Sequence, residues 1–210
     1  MSKKATKGKQ VIEELGVKLM TAKHPTIKKL KREYPTSIHG DKFWESSYLL
    51  MDYLNDNPPK KKTRILEIGC GWGLTSIYCA KTFGCKVTGC DADPDVFHYL
   101  DAHAELNEVK IKKLRKKFEK LDVKTLSKFD LIIGGDICFW DELNDTLFKL
   151  FKRAKKAGVK KAVIADPQRQ PFIDLCDRLD DHFTHEVWDW ALPKPTPADG
   201  DILVVDFKKS

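Results

Sequence analysis

At 210 residues and 24.1 kDa the chain has the length of one domain, with 41% hydrophobic and 33% charged residues to supply a core and a soluble surface. No apolar run approaches the roughly 18 residues of a membrane-spanning helix, which excludes an integral helical membrane protein. The +7 net charge is that of residues 1–33 alone, ten Lys/Arg against three Glu, so the rest of the chain is neutral and a pI near 9.0 is a weak pointer to nucleic acid.

Residues 1–42 read as a basic extension, partly helical or disordered, in which Pro25 and Pro35 break short helical stretches. Its start, MSKKATKGKQ, lacks the apolar stretch of a secretory signal and the arginines of a mitochondrial leader, so the cytoplasm is the expected compartment. A domain is expected over 43–210. Phe43, Tyr48, Leu49, Met51 and Leu54 recur at helical spacing, and the prolines of Asn57–Thr63 make a linker. From residue 64, short apolar strands (64–68, 86–90, 109–114, 129–134, 161–165) alternate with amphipathic helices (74–83, 94–106, 141–157, 169–182). That alternation implies βαβ units and a parallel sheet with helices on both faces. Two consecutive strands, 186–192 and 202–208, end the chain and are expected to pair antiparallel at one edge, which completes a seven-stranded, Rossmann-like α/β sheet.

The sharpest local signal is Arg64-Ile-Leu-Glu-Ile-Gly-Cys-Gly-Trp-Gly-Leu-Thr-Ser76, an apolar strand running through Gly69, Gly71 and Gly73 into a helix. Glycines let the backbone turn sharply and approach a ligand, and the helix start offers unpaired N–H groups. The spacing is not that of a dinucleotide fingerprint, because Leu74 stands where the third glycine would be required. Asp91 ends the next strand, where a carboxylate can accept hydrogen bonds from two ribose hydroxyls. Together these features describe a nucleoside site without a pyrophosphate.

The Glu67-x-Gly69-x-Gly71-x-Gly73 run, with Asp91, resembles the first motif and the ribose-binding acid of class I S-adenosylmethionine-dependent methyltransferases. The resemblance covers about residues 43–208. After the fourth strand, Asp136-Ile-Cys-Phe139 is similar to the [D/E]-x-x-[Y/F] pattern of the seven-β-strand protein lysine methyltransferases. Trp44 stands where that family carries a tryptophan near the cofactor. Asp166-Pro-Gln-Arg169 resembles a turn of the branch that modifies the electron-transfer flavoprotein β subunit. The prolines of the base and glutamine-amide methyltransferase tetrad are absent, and Leu121-Asp122-Val123 departs from the family's Leu-Asp-Trp. The resemblance implies S-adenosylmethionine held by Trp44, Glu67, Gly69, Cys70, Gly71, Gly73, Asp91 and Gly135. It implies a protein lysine as acceptor, oriented by Asp136 and walled by Phe139, although packing against the sheet would equally explain that ring.

Three further features stay open at this level. The six cysteines lack C-x-x-C spacing and read as reduced thiols, with no metal site among them or the histidines. Lys110–Lys120 holds seven basic residues and is either a grip for RNA or acidic protein, or a solvated strand edge. Trp188 and Trp190 share a strand face and read as sheet packing.

Overall fold

The computed structural model describes residues 10–37, 40, 42–192 and 198–208. A hairpin of β1 (Val11–Glu14) and β2 (Val17–Met20) leads to α1 (Pro25–Glu33) and α2 (Ser46–Asp56). There follow β3 (Arg64–Ile68), α3 (Leu74–Phe83), β4 (Lys86–Asp91), α4 (Val96–Leu106) and β5 (Lys112–Arg115). A 3-10 turn at Phe118–Lys120 and the short α5 (Val123–Leu126) precede β6 (Leu131–Gly135), α6 (Asp141–Lys156), β7 (Lys161–Asp166) and α7 (Gln170–Leu179). The chain closes on β8 (Thr184–Leu192) and β9 (Ala198–Asp206).

The main sheet has the order β5-β4-β3-β6-β7-β9-β8, parallel throughout except that β9 runs antiparallel to both of its neighbours. This is the seven-stranded, Rossmann-like sheet expected from the sequence. Each central strand is apolar on both faces, as a sheet covered on both sides requires. Ile65, Leu131, Ile133, Val163, Ile202 and Val204 face one core with α2 and α3. Their neighbours Leu66, Ile132, Ile164, Leu203 and Val205 face the other, where Leu147, Phe148, Leu150, Phe151 and Ala154 of α6 pack beside Phe172 and Leu175 of α7. Helix α6 starts with Asp141 and Glu142 and ends with Arg153, Lys155 and Lys156, so its charges oppose the helix dipole at both ends.

In the first segment α1 is a helix of the kind expected, and a hairpin that was not expected stands before it. Where a partly helical or disordered extension is predicted, residues 11–20 form a hairpin with the turn Leu15-Gly16, both at positive φ. Val17 and Leu19 are fully buried. Asn107 accepts from the Lys18 N–H (2.9 Å) and donates to its carbonyl (2.8 Å), while His103 Nε2 accepts from Met20 N–H (3.1 Å). Pro25 does not break a helix but opens one, because the first helical turn needs no N–H from it. Residues 1–9 lie outside the described ones.

Strand β5 is shorter and later than predicted. Val109 and Ile111 pack half-buried on the α2–α3 core before the strand begins, and β5 itself is an edge strand of mostly exposed Lys and Arg. Of the two tryptophans on β8, Trp190 is half-buried and donates its indole N–H to Asp52 Oδ2 (3.0 Å), whereas Trp188 stands 49% exposed. Trp188 is therefore not the packing residue that was expected.

Candidate active site

Strands β3, β4, β6 and β7 all end at one edge of the sheet, and chain order reverses between β3 and β6, the place where open α/β sheets form a crevice. A cleft of about 500 Å³ opens there, within the size range of small-molecule sites. All ten residues singled out in the sequence line it: Trp44, Glu67, Gly69, Cys70, Gly71, Gly73, Asp91, Gly135, Asp136 and Phe139.

The glycine turn is built from backbone requirements. Gly69, Gly71 and Gly73 have φ of 64°, 48° and 75°, a region that penalises side chains. Gly73 caps α3 from that left-handed conformation. Glu67, on β3, reaches the same helix start and accepts from both Ser76 N–H (3.0 Å) and the Ser76 hydroxyl. A strand carboxylate thus satisfies one of the helix's unpaired donors. Burial pushes the Glu67 carboxyl up to about 7, against the opposing pull of the Ser76 bonds.

Asp91 is tied to the turn. Its Oδ2 accepts from Gly71 N–H and its Oδ1 from Asp93 N–H, each at 3.0 Å. Two backbone donors leave further lone pairs on the carboxylate. Burial raises the Asp91 carboxyl above its ordinary value. A Cβ at Gly71 would meet no protein atom within 4 Å, so the backbone there borders open cleft. Cys70 is buried beside it and burial pushes its thiol well up, which makes it a wall and not a nucleophile.

Two parts of the wall were not legible in the sequence. Ser37 donates N–H (2.6 Å) and hydroxyl (2.9 Å) to Asp93, and Gly40 accepts from the Trp72 indole (2.7 Å), so Ser37 and Gly40 form part of the cleft wall. Phe118, at the end of the basic run, lines the cleft on the β5 side and lies 3.6 Å from where a Gly69 Cβ would stand. It supplies the aromatic surface that Leu121-Asp122-Val123 does not. Leu121 is fully buried in the core, and Asp122 caps α5 through Thr125 N–H (2.7 Å).

On the β6 side of the cleft, Asp136 follows the strand with φ of 55°, which Asp tolerates better than most residues. Its N–H donates to Ala165 O (3.0 Å), and Oδ2 accepts from Ser46 N–H (3.3 Å). Its Oδ1 is paired with Arg169 Nη2. The Arg169 guanidinium lies 4.3 Å from the Phe139 ring centroid, and Phe139 meets Trp44 edge-on at 5.5 Å. Arg169 also bonds Asp166 twice, through its N–H (2.9 Å) and Nη1 (3.2 Å). Sequence reasoning marked the Asp166–Arg169 turn as a resemblance only. The partner, Asp136, is 33 residues away and no local pattern reveals it.

The residues fit S-adenosylmethionine: a glycine backbone that borders open cleft, a half-buried carboxylate, Asp91, with lone pairs to spare, and apolar walls at Phe118 and Ile137. Fold and site together define a class I methyltransferase domain, with S-adenosylmethionine as its cofactor. A family profile described as "Methyltransferase domain" matches residues 65–158. The chain is 26% identical over 166 residues to the electron transfer flavoprotein beta subunit lysine methyltransferase of Rattus norvegicus, which covers 77% of this chain and 62% of that protein's length. Among solved structures it is similar to the Pyrococcus abyssi tRNA (uracil-54, C5)-methyltransferase in complex with S-adenosyl-L-homocysteine (TM-score 0.58, 20% identity, 95% of this chain and 44% of that one). It is also similar to the ribosomal protein L11 methylase of Lactobacillus delbrueckii subsp. bulgaricus (TM-score 0.59, 14% identity, 79% of each chain).

Proposed function

We propose that this domain transfers a methyl group to an amine nitrogen, that of a lysine side chain in a protein. The observation that carries the reading is that a buried carboxylate, Asp136, and the Phe139 ring line one cleft and meet the same cation, the Arg169 guanidinium. A carboxylate and an aromatic face are what an ammonium group seeks. The lysine methyltransferase relatives support the same acceptor class, and no particular partner protein follows from them.

When bound, S-adenosylmethionine supplies an electrophilic methyl group on a sulfonium. Asp91 and the Gly71 backbone would hold its nucleoside, and Glu67 fixes the helix start beside them. A free lysine amine has a pKa near 10.4 and reacts only after losing its proton. Asp136 binds the ammonium and, once that proton has left to water, orients the lone pair along the line of transfer. Phe139 and Trp44 exclude water from the reacting nitrogen. Positioning of this kind supplies most of the acceleration in a displacement between two held groups.

The second reading, N-methylation of RNA or of a small amine, is favoured by one observation: Arg115 and Lys117 of the basic run border the cleft. Incubation with radiolabelled S-adenosylmethionine and a lysate of the source cell, split between protease and RNase, tests both. Protease-sensitive label located on lysine by mass spectrometry supports the proposal. Label removed only by RNase replaces it with the second reading. Cofactor binding without any transfer would make the domain a non-catalytic interaction module.

A further inference from the structure

We infer that Arg169 is a positioning residue that competes with the acceptor: its guanidinium and the substrate ammonium are alternative occupants of the place between Asp136 and Phe139. The inference rests on the amine reading above and adds the device that controls entry to that site.

The geometry is that of a cation already in the cage. Arg169 meets Asp136 Oδ1 through Nη2 and covers the Phe139 ring at 4.3 Å, so it makes both of the contacts proposed for the acceptor. An ammonium cannot take Asp136 Oδ1 and that ring face while Arg169 holds them. The mouth draws cations elsewhere too, because Lys42 Nζ lies 4.0 Å over the Trp44 ring that abuts Phe139.

Arg169 has a second anchor to fall back on. Its own N–H and its Nη1 are bonded to the two oxygens of Asp166, which is fully buried at the end of β7. Releasing Asp136 therefore leaves the guanidinium paired and not stranded in a low-dielectric site. Charge count points the same way. One guanidinium faces two carboxylates, Asp136 and Asp166, and Asp201 adds its negative field to Asp166. Burial, and to a lesser degree the field of Asp201, pushes the Asp166 carboxyl up to about 7. An arriving ammonium would supply the missing cation and leave two one-to-one pairs, substrate with Asp136 and Arg169 with Asp166. A neutral acceptor gains nothing from the exchange, so the arrangement selects for a charged amine.

The test titrates n-butylammonium, a lysine side chain without its backbone, into full-length protein saturated with S-adenosylhomocysteine. Tryptophan fluorescence from Trp44 reads occupancy. Arg169→Gln removes the competing charge and keeps a donor toward Asp166. It is expected to bind the probe about tenfold more tightly than the wild type, the scale of one charge-assisted hydrogen bond. The gain should vanish in the Arg169→Gln, Asp136→Asn double variant. A brace with a purely structural role would give equal or weaker binding in Arg169→Gln, and that result would overturn the inference while leaving the amine reading in place. No probe binding to any form that still binds S-adenosylhomocysteine would overturn both. If Arg169→Gln fails to fold by thermal denaturation, Arg169→Lys replaces it. Its shorter reach to Asp136 should still give a gain in affinity, and absence of that gain would sink the idea.

Discussion

Gly73 and Leu100 lay claim to one volume: a Cβ on Gly73 would stand 1.8 Å from Leu100 Cδ1, and Gly73 itself has φ of 75°. Gly71, two residues earlier, also has positive φ, at 48°, but a Cβ there meets no protein atom within 4 Å. One motif thus holds two kinds of glycine, one that packs against the protein and one that borders the open cleft. Gly73→Ala combines left-handed strain of about 1–2 kcal/mol with overpacking of about 1–3 kcal/mol, so a loss of roughly 2–5 kcal/mol is expected by thermal denaturation. Gly71→Ala is expected to cost only the strain of about 1–2 kcal/mol. Its affinity for S-adenosylhomocysteine, read by calorimetric titration, should fall about tenfold or more as the new methyl enters the cleft. Equal stability losses in the two variants would refute the division.

Two buried groups give stability opposite pH slopes. Glu67 has its carboxyl raised from 4.5 to about 7 by burial. Between those values the unfolded chain has already released the proton that the native state retains, so stability falls as pH rises through the window and is level above it. The full loss is about 3 kcal/mol. Glu67→Gln keeps an acceptor for Ser76 and should remove this slope. His103 runs the other way, because burial lowers its pKa from 6.5 and its Nε2 accepts from Met20 N–H only while neutral. The unfolded chain takes up a proton first as pH falls below 6.5, so the stability that neutral His103 contributes is lost toward acid. Denaturant titrations from pH 4.5 to 8 on wild type, Glu67→Gln and His103→Gln separate the two. A Glu67→Gln profile parallel to that of the wild type would contradict the Glu67 assignment.

The parts of the molecule that could be read from sequence are those whose signal is local. Strands β3, β6 and β7 are short apolar runs because both sheet faces are covered, and the glycine turn with Asp91 needs residues only 22 positions apart at most. What escaped depends on distant partners. The hairpin has two strands of four residues with Lys18 between Val17 and Leu19, and its backbone is anchored by His103 of α4 and by Asn107, which caps that helix. Strand β5 carries lysines because it is an edge, so its composition hid it behind Val109 and Ile111. Arg169 was visible as part of a turn, yet its pairing with Asp136 exists only once β6 and β7 lie side by side.

The hairpin's anchoring gives a stability prediction outside the site. Leu19 is fully buried against the sheet side of the domain, so Leu19→Ala should cost about 2–5 kcal/mol. Asn107→Ala leaves the Lys18 N–H and carbonyl without their side-chain partner, at about 1–3 kcal/mol. Because both groups belong to one contact, the double variant should lose less than the sum. Additive losses in urea unfolding would show that the hairpin and α4 are not coupled.

Asp136 and Phe139 are separable by substitution. Asp136→Ala removes the proposed amine-binding group together with the acceptor of Ser46 N–H and the partner of Arg169. Methyl transfer to protein should then be abolished, with S-adenosylhomocysteine binding reduced but still measurable, since Asp91 and the Gly71 backbone are untouched by the change. Phe139→Leu preserves apolar bulk and removes the π face, worth about 0.5–2 kcal/mol to a cation. Its acceptor KM should rise by about threefold to thirtyfold with a smaller change in kcat. Phe139→Tyr keeps the π face and should retain near wild-type KM. Full turnover in Asp136→Ala would remove that residue from the mechanism. An unchanged KM in Phe139→Leu would reduce Phe139 to packing against the sheet.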